Sequence, residues 1–479
     1  MVKLPDFGGV LADFADAVDL TEWAKGSTVW LAVTGLSRAG KTVFITSLVH
    51  NLLSVLHYPN RMPLLNVVGD GRLRAATLQG VKADLLPRFP YLANIEQMAA
   101  APARWPERTD DISEIGIDIR FEPAGWRGAL LTKVGGPTAT LKLNIVDYPG
   151  EWLLDLPLLS QSYAEWARST LALWRQGLRA EVGRDFFAFL ADHSPDEASD
   201  EATARRAHEL YRDMLVAARD QHGLTHLQPG RFLCPGSLGD VPYLWFAPLD
   251  VGDNGGRLRA GSLGALMQDR YETYKREVVE RFYKDYFRNY ARQIVLVDVL
   301  GALLAGREAF EDTRLAIGAI LESFRYGQRS ILSRLIGSAR VEKLLFAATK
   351  ADHIPDMQRE HLSLLLRNMA ALPALEARGR NADIDVTTIA SVASTVQGIQ
   401  EIDGKRVQVV IGREVGAPKQ AKFFAGQVPI RPPKAGEWGT PFLNIPVFEP
   451  PAIDPAPVDG IPHINLDVAL EFLIGDKLR

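Results

Sequence analysis

The chain has 479 residues, 47% of them hydrophobic, and a formal net charge of −4. That length and apolar content allow a large core and suggest two to four domains, while the weak negative charge argues against a general nucleic-acid-binding surface. The only cysteine, Cys234, rules out an intramolecular disulfide and leaves no cysteine cluster for zinc.

Residues 1–24 lack a charged start followed by an apolar core, so no signal peptide is expected. The longest apolar run, residues 294–305, is interrupted by Asp298 and is too short to span a bilayer. A soluble cytoplasmic protein is expected, with peripheral membrane contact left open.

Residues 8–25 have the spacing of a short amphipathic helix. Residues 30–34 then form a short apolar run, the pattern of a buried strand, and residues 43–53 are long enough for a helix. Between them stands Gly35-Leu36-Ser37-Arg38-Ala39-Gly40-Lys41-Thr42, which reads G-x-x-x-x-G-K-T. Strand, glycine-rich loop and helix is the setting in which this motif binds phosphate. Backbone N–H groups wrap the anion and the helix N-terminus adds partial positive charge. Nucleotide contacts are therefore expected from Gly35, Ser37, Arg38, Ala39, Gly40, Lys41, Thr42 and Val43. Lys41 can reach the outer phosphates, and the Thr42 hydroxyl can take a place on Mg²⁺.

Residues 58–106 carry several prolines and Gly69-Asp70-Gly71, and read as an insertion of modest order. Two strands are expected next, at 112–119 and 138–146, the first with alternating apolar residues. Residues 153–293 are mostly helical in pattern, with helices at 163–176, 180–192, 202–222 and 266–290. In the last of these, Glu272–Arg276, Glu277–Arg281 and Glu280–Lys284 are acid-before-base pairs four apart. Its stripe of Tyr271, Tyr274, Val278, Phe282 and Tyr286 reads as a face packed in a helical subdomain, with a partner or membrane surface as the alternative.

Strand and helix then alternate again, with strands at 294–298, 343–348 and 384–389 and helices at 312–336 and 357–371. The tail from about 399 holds a hairpin turn at 402–405, a strand at 407–411, a proline-rich stretch at 429–462 and a closing helix at 466–474. The expected fold class is α/β: a P-loop NTPase with a mostly parallel central sheet, a large helical insertion and a C-terminal extension. Residues 29–57, 107–152 and 291–400 would build the nucleotide-binding part. Residues 153–290 would be the helical insertion, 401–479 the extension packed on that part, and 1–28 a leading helix.

Two more stretches narrow the chemistry. Asp147-Tyr148-Pro149-Gly150 follows an apolar strand. Asp147 can hold Mg²⁺ through water, and the Gly150 N–H can approach a terminal phosphate closely. Alternatively Asp147 merely caps the next helix. Thr349-Lys350-Ala351-Asp352 also ends a strand. A carboxylate at Asp352 can accept from guanine N1–H and its exocyclic amine, and the Lys350 stem can lie across the base. A solvated charged loop is the alternative.

The order of these three motifs resembles the small-GTPase type of P-loop protein, with Thr349 where asparagine is commonest. The runs G-L-S-R-A-G-K-T and I-V-D-Y-P-G-E-W-L-L-D-L-P-L-L resemble the YcjX-like family of bacterial P-loop stress proteins over nearly the whole chain. The resemblance implies nucleotide binding and hydrolysis, a helical insertion and a role linked to stress. In such a fold a threonine before the edge strand closes over Mg²⁺, for which Thr109 is the first candidate and Ser113 the second. A small-residue turn after the last strand touches the base, which selects Ser391 and Val392. Glu151 stands where related GTPases orient the attacking water. Arg38 stands where some relatives organise a monovalent cation, and can offset the charge of Glu151. Arg108 reads as an exposed loop arginine, with a role on transferring phosphate as the alternative.

Asp298 reads as a helix cap or structural carboxylate. The nine histidines show no ligand spacing, so no metal is expected beyond nucleotide-bound Mg²⁺. The expected function is Mg²⁺-dependent hydrolysis of GTP to GDP and phosphate in a stress-linked switch, with an unidentified protein effector or activator. Two alternatives stay open: an ATPase of the same fold, and a nucleotide-sensing protein with negligible turnover. A small-molecule kinase is disfavoured because no acceptor-side acid–base set is present.

Overall fold

The computed structural model describes residues 27–80, 86–107, 111–125, 138–252, 258–329, 341–370, 382–402 and 404–479. The expected helix at 8–25 lies outside these residues. A seven-stranded sheet organises the rest, in the order β2-β3-β4-β1-β5-β6-β7. Its strands are β1 (Ser27–Gly35), β2 (Leu73–Leu78), β3 (Ser113–Phe121), β4 (Ala139–Asp147), β5 (Arg292–Val297), β6 (Lys343–Ala348) and β7 (Asp383–Thr388). Strands β4, β1, β5, β6 and β7 are mutually parallel, and β3 runs antiparallel to both of its neighbours.

The stretch 58–106, expected as a mere insertion, instead supplies β2, the edge strand beside β3. Its run Leu73-Arg74-Ala75-Ala76-Thr77-Leu78 is only partly buried, as an edge strand can be, so it lacks the apolar alternation that marks β3.

The central strands are apolar on both faces, which is what a parallel sheet covered on two sides requires. Ile294 and Leu296 of β5 and Leu345 and Ala347 of β6 face one core. That core also holds Phe44, Leu48 and Leu52 of α1 (Lys41–Ser54), and Leu466, Leu470 and Leu473 of the closing helix Leu466–Ile474. Asp467 of that helix accepts the Leu64 N–H at 3.0 Å, and Arg72 Nη1 donates to the Leu478 carbonyl at 2.9 Å. Val295, Val297, Phe346 and Ala348 turn to the opposite face and share a second continuous core with the helical block.

The block opens with a run of 3-10 turns, Gly150–Ser160, containing Pro157. It continues through α2 (Tyr163–Trp174), α3 (Glu201–His222) and α4 (Leu263–Tyr274). Ser162 and Glu165 form a reciprocal capping box at the start of α2. Helix α4 passes into a π-turn, Lys275–Val279, and then Glu280–Asp285. The expected aromatic stripe is a packed face: Tyr271, Tyr274, Val278 and Phe282 are buried and Tyr286 half-buried. Tyr271 stacks on Trp166 with centroids 5.0 Å apart.

After β5 come α5 (Val299–Ala305) and α6 (Arg307–Arg329); helix α7 (Arg359–Met369) lies between β6 and β7. The C-terminal extension begins before the expected residue 401, with a three-stranded antiparallel sheet of β8 (Thr395–Ile402), β9 (Lys405–Gly412) and β10 (Ala421–Phe423). It ends in α8, the closing helix. No helix among the described residues is long and apolar enough to cross a membrane.

Candidate functional site

The carboxyl ends of β1, β4, β5, β6 and β7 carry every predicted motif, as the crevice rule for open α/β sheets requires. The phosphate loop joins β1 to α1. Arg38 and Gly40 adopt left-handed backbone, with φ of 64° and 81°, and the Leu36 N–H bonds the Leu296 carbonyl at 3.3 Å. The Lys41 ammonium donates to the Gly35 carbonyl at 3.2 Å, inside its own loop. The Arg38 guanidinium reaches out of the loop and donates to the Asp220 carbonyl of α3 at 3.0 Å. A cation near the last carbonyls of a helix is favoured by the helix dipole.

Asp147 ends β4 and is paired in register with Val33, two residues before Gly35. Its carboxylate is buried. Gly150 passes so close to the phosphate loop that a Cβ there would stand 2.3 Å from the Gly35 carbonyl oxygen, a backbone atom with no room to retreat. Only glycine fits. Glu151 follows and is 3% exposed. Ser113 opens β3 directly opposite Asp147, and its hydroxyl is buried without a hydrogen-bond partner among the described residues. Thr109 and Arg108 lie outside the described residues.

The base-side motif follows β6. Lys350 has φ of 61°, and its ammonium pairs with Asp298. Asp298 also accepts the Gly301 N–H at 2.9 Å as the N-cap of α5, the structural place its position after an apolar strand suggests. Asp352 is buried. Its Oδ2 accepts from the Ser394 N–H at 2.9 Å and from the Ser394 hydroxyl at 2.8 Å. Burial holds His353 below the ordinary histidine pKa, with Asp352 pulling the other way. Ser391 offers its carbonyl to the Ser47 hydroxyl of α1, which ties the turn after β7 to the phosphate-loop helix.

A cavity of about 610 Å³ gathers these parts. Ser37, Arg38, Ala39, Gly40 and Val43 line it from the phosphate loop, Thr349, Lys350 and Asp352 from the base motif, and Ser391 and Val392 from the turn after β7. Gly35, Lys41, Thr42, Asp147, Gly150 and Glu151 stand outside that wall. The cavity also has walls that no motif announces: Trp105, Asp298, Ser394, Gly223 and Thr225 of the helical block, and Ile445–Phe448 of the extension. Ser394 sits three residues after Ser391, near enough to be found by extending the turn. Asp298 has its own signature as a helix cap, and the others are distant in sequence and carry none.

Comparison with known proteins identifies the family. A sequence model of the YcjX-like family, DUF463, matches residues 29–478. A protein of Escherichia coli (strain K12) named Ras-like GTPase YcjX is 38% identical over 455 residues, which is 94% of this chain and 96% of that protein. A protein of the same name from Shewanella oneidensis is 37% identical over 466 residues, 94% of each chain. The fold is that of a P-loop NTPase, and the chain belongs to the YcjX-like family.

Proposed function

We propose that the chain binds a guanine nucleotide in this cavity and hydrolyses GTP to GDP and phosphate. The observation that carries the reading is the buried Asp352 carboxylate in the wall of the cavity that the phosphate loop also lines. Guanine presents two adjacent donors, N1–H and the exocyclic amine, to such a carboxylate. Adenine presents a ring acceptor and no amine there, so the acceptor capacity of Asp352 that Ser394 does not use would meet no donor, which is costly in a dry slot. The name of the two relatives, Ras-like GTPase, points the same way.

In this reading Gly35 to Val43 cradle the phosphates, Lys41 leaves the Gly35 carbonyl for the outer phosphates, and the Gly150 N–H meets the terminal one. Lys350 and Ser391-Val392 border the base. Glu151 orients the attacking water, and Arg38 offsets the added negative charge. The donors available for Mg²⁺ are hard oxygens, as that ion prefers: the Thr42 hydroxyl, and the buried Asp147 carboxylate beside the strand that feeds the loop. Thr109 remains part of the proposed set. Bound there, Mg²⁺ would neutralise charge on the phosphate oxygens. The resemblance to bacterial stress proteins supports a stress-linked cytoplasmic switch, read by a protein effector or activator.

Competition binding of GTP against ATP, with Asp352→Asn as control, tests the reading. GTP should bind more tightly by two orders of magnitude or more, and the variant should lose roughly 2–3 kcal/mol of guanine binding. Equal competition by ATP would sink the guanine assignment and leave an ATPase of the same fold.

A further inference from the structure

We propose that the segment Ile445-Pro446-Val447-Phe448 of the C-terminal extension is part of the nucleotide site, closing the cavity around the base; the inference rests on the guanine-nucleotide reading above. Four successive apolar residues line the same cavity as Asp352 and Lys350. They come from a part of the chain that has no P-loop motif.

The segment is held at the base end by its own contacts. The Phe448 ring stands edge-on to His353, centroids 4.9 Å apart, and His353 is the neighbour of Asp352. The Trp105 indole N–H donates to the Phe448 carbonyl at 2.8 Å. On the extension side the Val415 N–H bonds the Val447 carbonyl at 2.9 Å, and the Glu449 N–H bonds the Arg413 carbonyl at 2.8 Å. Backbone and ring are thus fixed at Val447 and the two residues after it, while Val447 is itself 69% exposed. A branched apolar side chain on a pinned backbone at a cavity wall gains by contact with an apolar ligand surface.

The chemistry assigns the ligand part. The phosphates need N–H groups and cations, which the glycine-rich loop supplies. A purine has a polar edge and two apolar faces. Asp352 suits the edge, and the Lys350 stem can lie along one face. Ile445, Pro446 and Val447 offer no side-chain donor or acceptor, so they suit the remaining face and the ribose, as apolar walls do in most ligand pockets.

The test uses the full chain, with GDP and Mg²⁺ as probe. Hydrogen exchange of the unmodified protein should show GDP protecting residues 441–450 together with the phosphate loop at 35–43. Calorimetric titration of Val447→Asp, a change at an exposed position, should show GDP binding weakened tenfold or more. Protection at 35–43 without any at 441–450 overturns the inference and leaves the functional reading standing. So does GDP affinity in Val447→Asp within twofold of the unmodified protein, the result expected if this wall serves a protein partner instead. Protection at neither place removes the guanine-nucleotide reading, and this inference with it.

Discussion

Tyr274 donates its phenolic hydrogen to Asp155 at 2.5 Å, joining residues 119 apart in sequence. Asp155 lies five residues past Gly150, in the 3-10 run, and its other oxygen accepts the Gly230 N–H at 2.8 Å. One carboxylate therefore fastens the segment after the Asp147–Gly150 turn to α4 and to the start of a short helix, Gly230–Leu233. Nearby, Arg231 lies over the Trp152 ring at 3.2 Å from its centroid, and the Trp152 indole donates to the Cys234 carbonyl at 3.0 Å.

Burial pushes Asp155 up from 3.8 to about 6, against the opposing pull of Tyr274, Gly230 and Arg231. A carboxyl raised on folding stabilises the fold fully below its unfolded pKa and loses that contribution as pH rises through its folded pKa. The window is thus about pH 4 to pH 6, and the difference amounts to roughly 3 kcal/mol. Asp155→Asn removes the titration. Chemical unfolding at pH 4.5 and pH 8 should show the unmodified protein losing stability relative to the variant at the higher pH. A stability gap that does not change with pH would mean that Asp155 titrates normally.

Gly150→Ala should damage the site without touching any charged group. The added methyl meets the Gly35 backbone, and overpacking of this kind costs about 1–3 kcal/mol. The expected result is a lower melting temperature and nucleotide affinity reduced by about tenfold or more. Unchanged nucleotide affinity would show that the turn and the loop move independently.

Turnover gives a separate check. Lys41→Ala should lower steady phosphate release by roughly 100-fold or more, as loss of a transition-state donor does. Glu151→Ala should lower it by about 100-fold with nucleotide affinity nearly kept, since a water-orienting group acts on the chemical step. Arg38→Ala should also slow release, and should loosen α3 by removing the bond to Asp220. Hydrolysis by Glu151→Ala at the unmodified rate would make that side chain structural.

The helical block should respond to the γ-phosphate. Loss of that group would remove the contact proposed for the turn at Gly150, and order in such segments follows the contact. Trp152 is tied into the block through the Cys234 carbonyl, and the Leu153 carbonyl accepts the Ser323 hydroxyl of α6 at 2.8 Å. Hydrogen exchange over residues 148–180 should be slower with a non-hydrolysable triphosphate than with the diphosphate. Equal exchange in the two states would argue against a coupled switch.

Where local pattern and burial coincide, the sequence is a good guide. Lys343–Ala348 and Leu466–Ile474 occupy the residues their apolar periodicity marks. The phosphate-loop helix extends to Lys41–Ser54 around the expected 43–53. The expected helix at 180–192 divides at Gly183 into Gly177–Val182 and Arg184–Asp192. Helix α4 starts at Leu263, three residues early, because Ser262 caps it by accepting the Ala265 N–H at 3.2 Å. The 3-10 run at 150–160 precedes the first expected helix at 163–176, and Pro157 within it cannot donate to a helix ladder. Strand β2 escapes because an edge strand carries weak alternation.

The site divides in the same way. The phosphate loop, the Asp147–Gly150 turn and the Thr349–Asp352 run are contiguous motifs, each legible from its own residues. The partnership of Lys350 with Asp298, 52 residues apart, is a tertiary fact, as is the arrival of Trp105 and Val447 at one wall. No periodicity encodes which distant loop will cover a cavity.

The closing helix has a consequence in time. Asn51 on α1 accepts the N–H of Ile461, 410 residues later, and the core under Leu48 and Leu52 is completed by residues 466–478. As the ribosome delivers the chain, α1 emerges with that face uncovered and waits for those 410 residues before its cover follows. A nascent chain arrested at residue 460 should therefore be cut readily within α1 by added protease, whereas the full-length protein resists. Through that interval the phosphate loop has no finished floor, and its bare apolar face is what a chaperone would meet first.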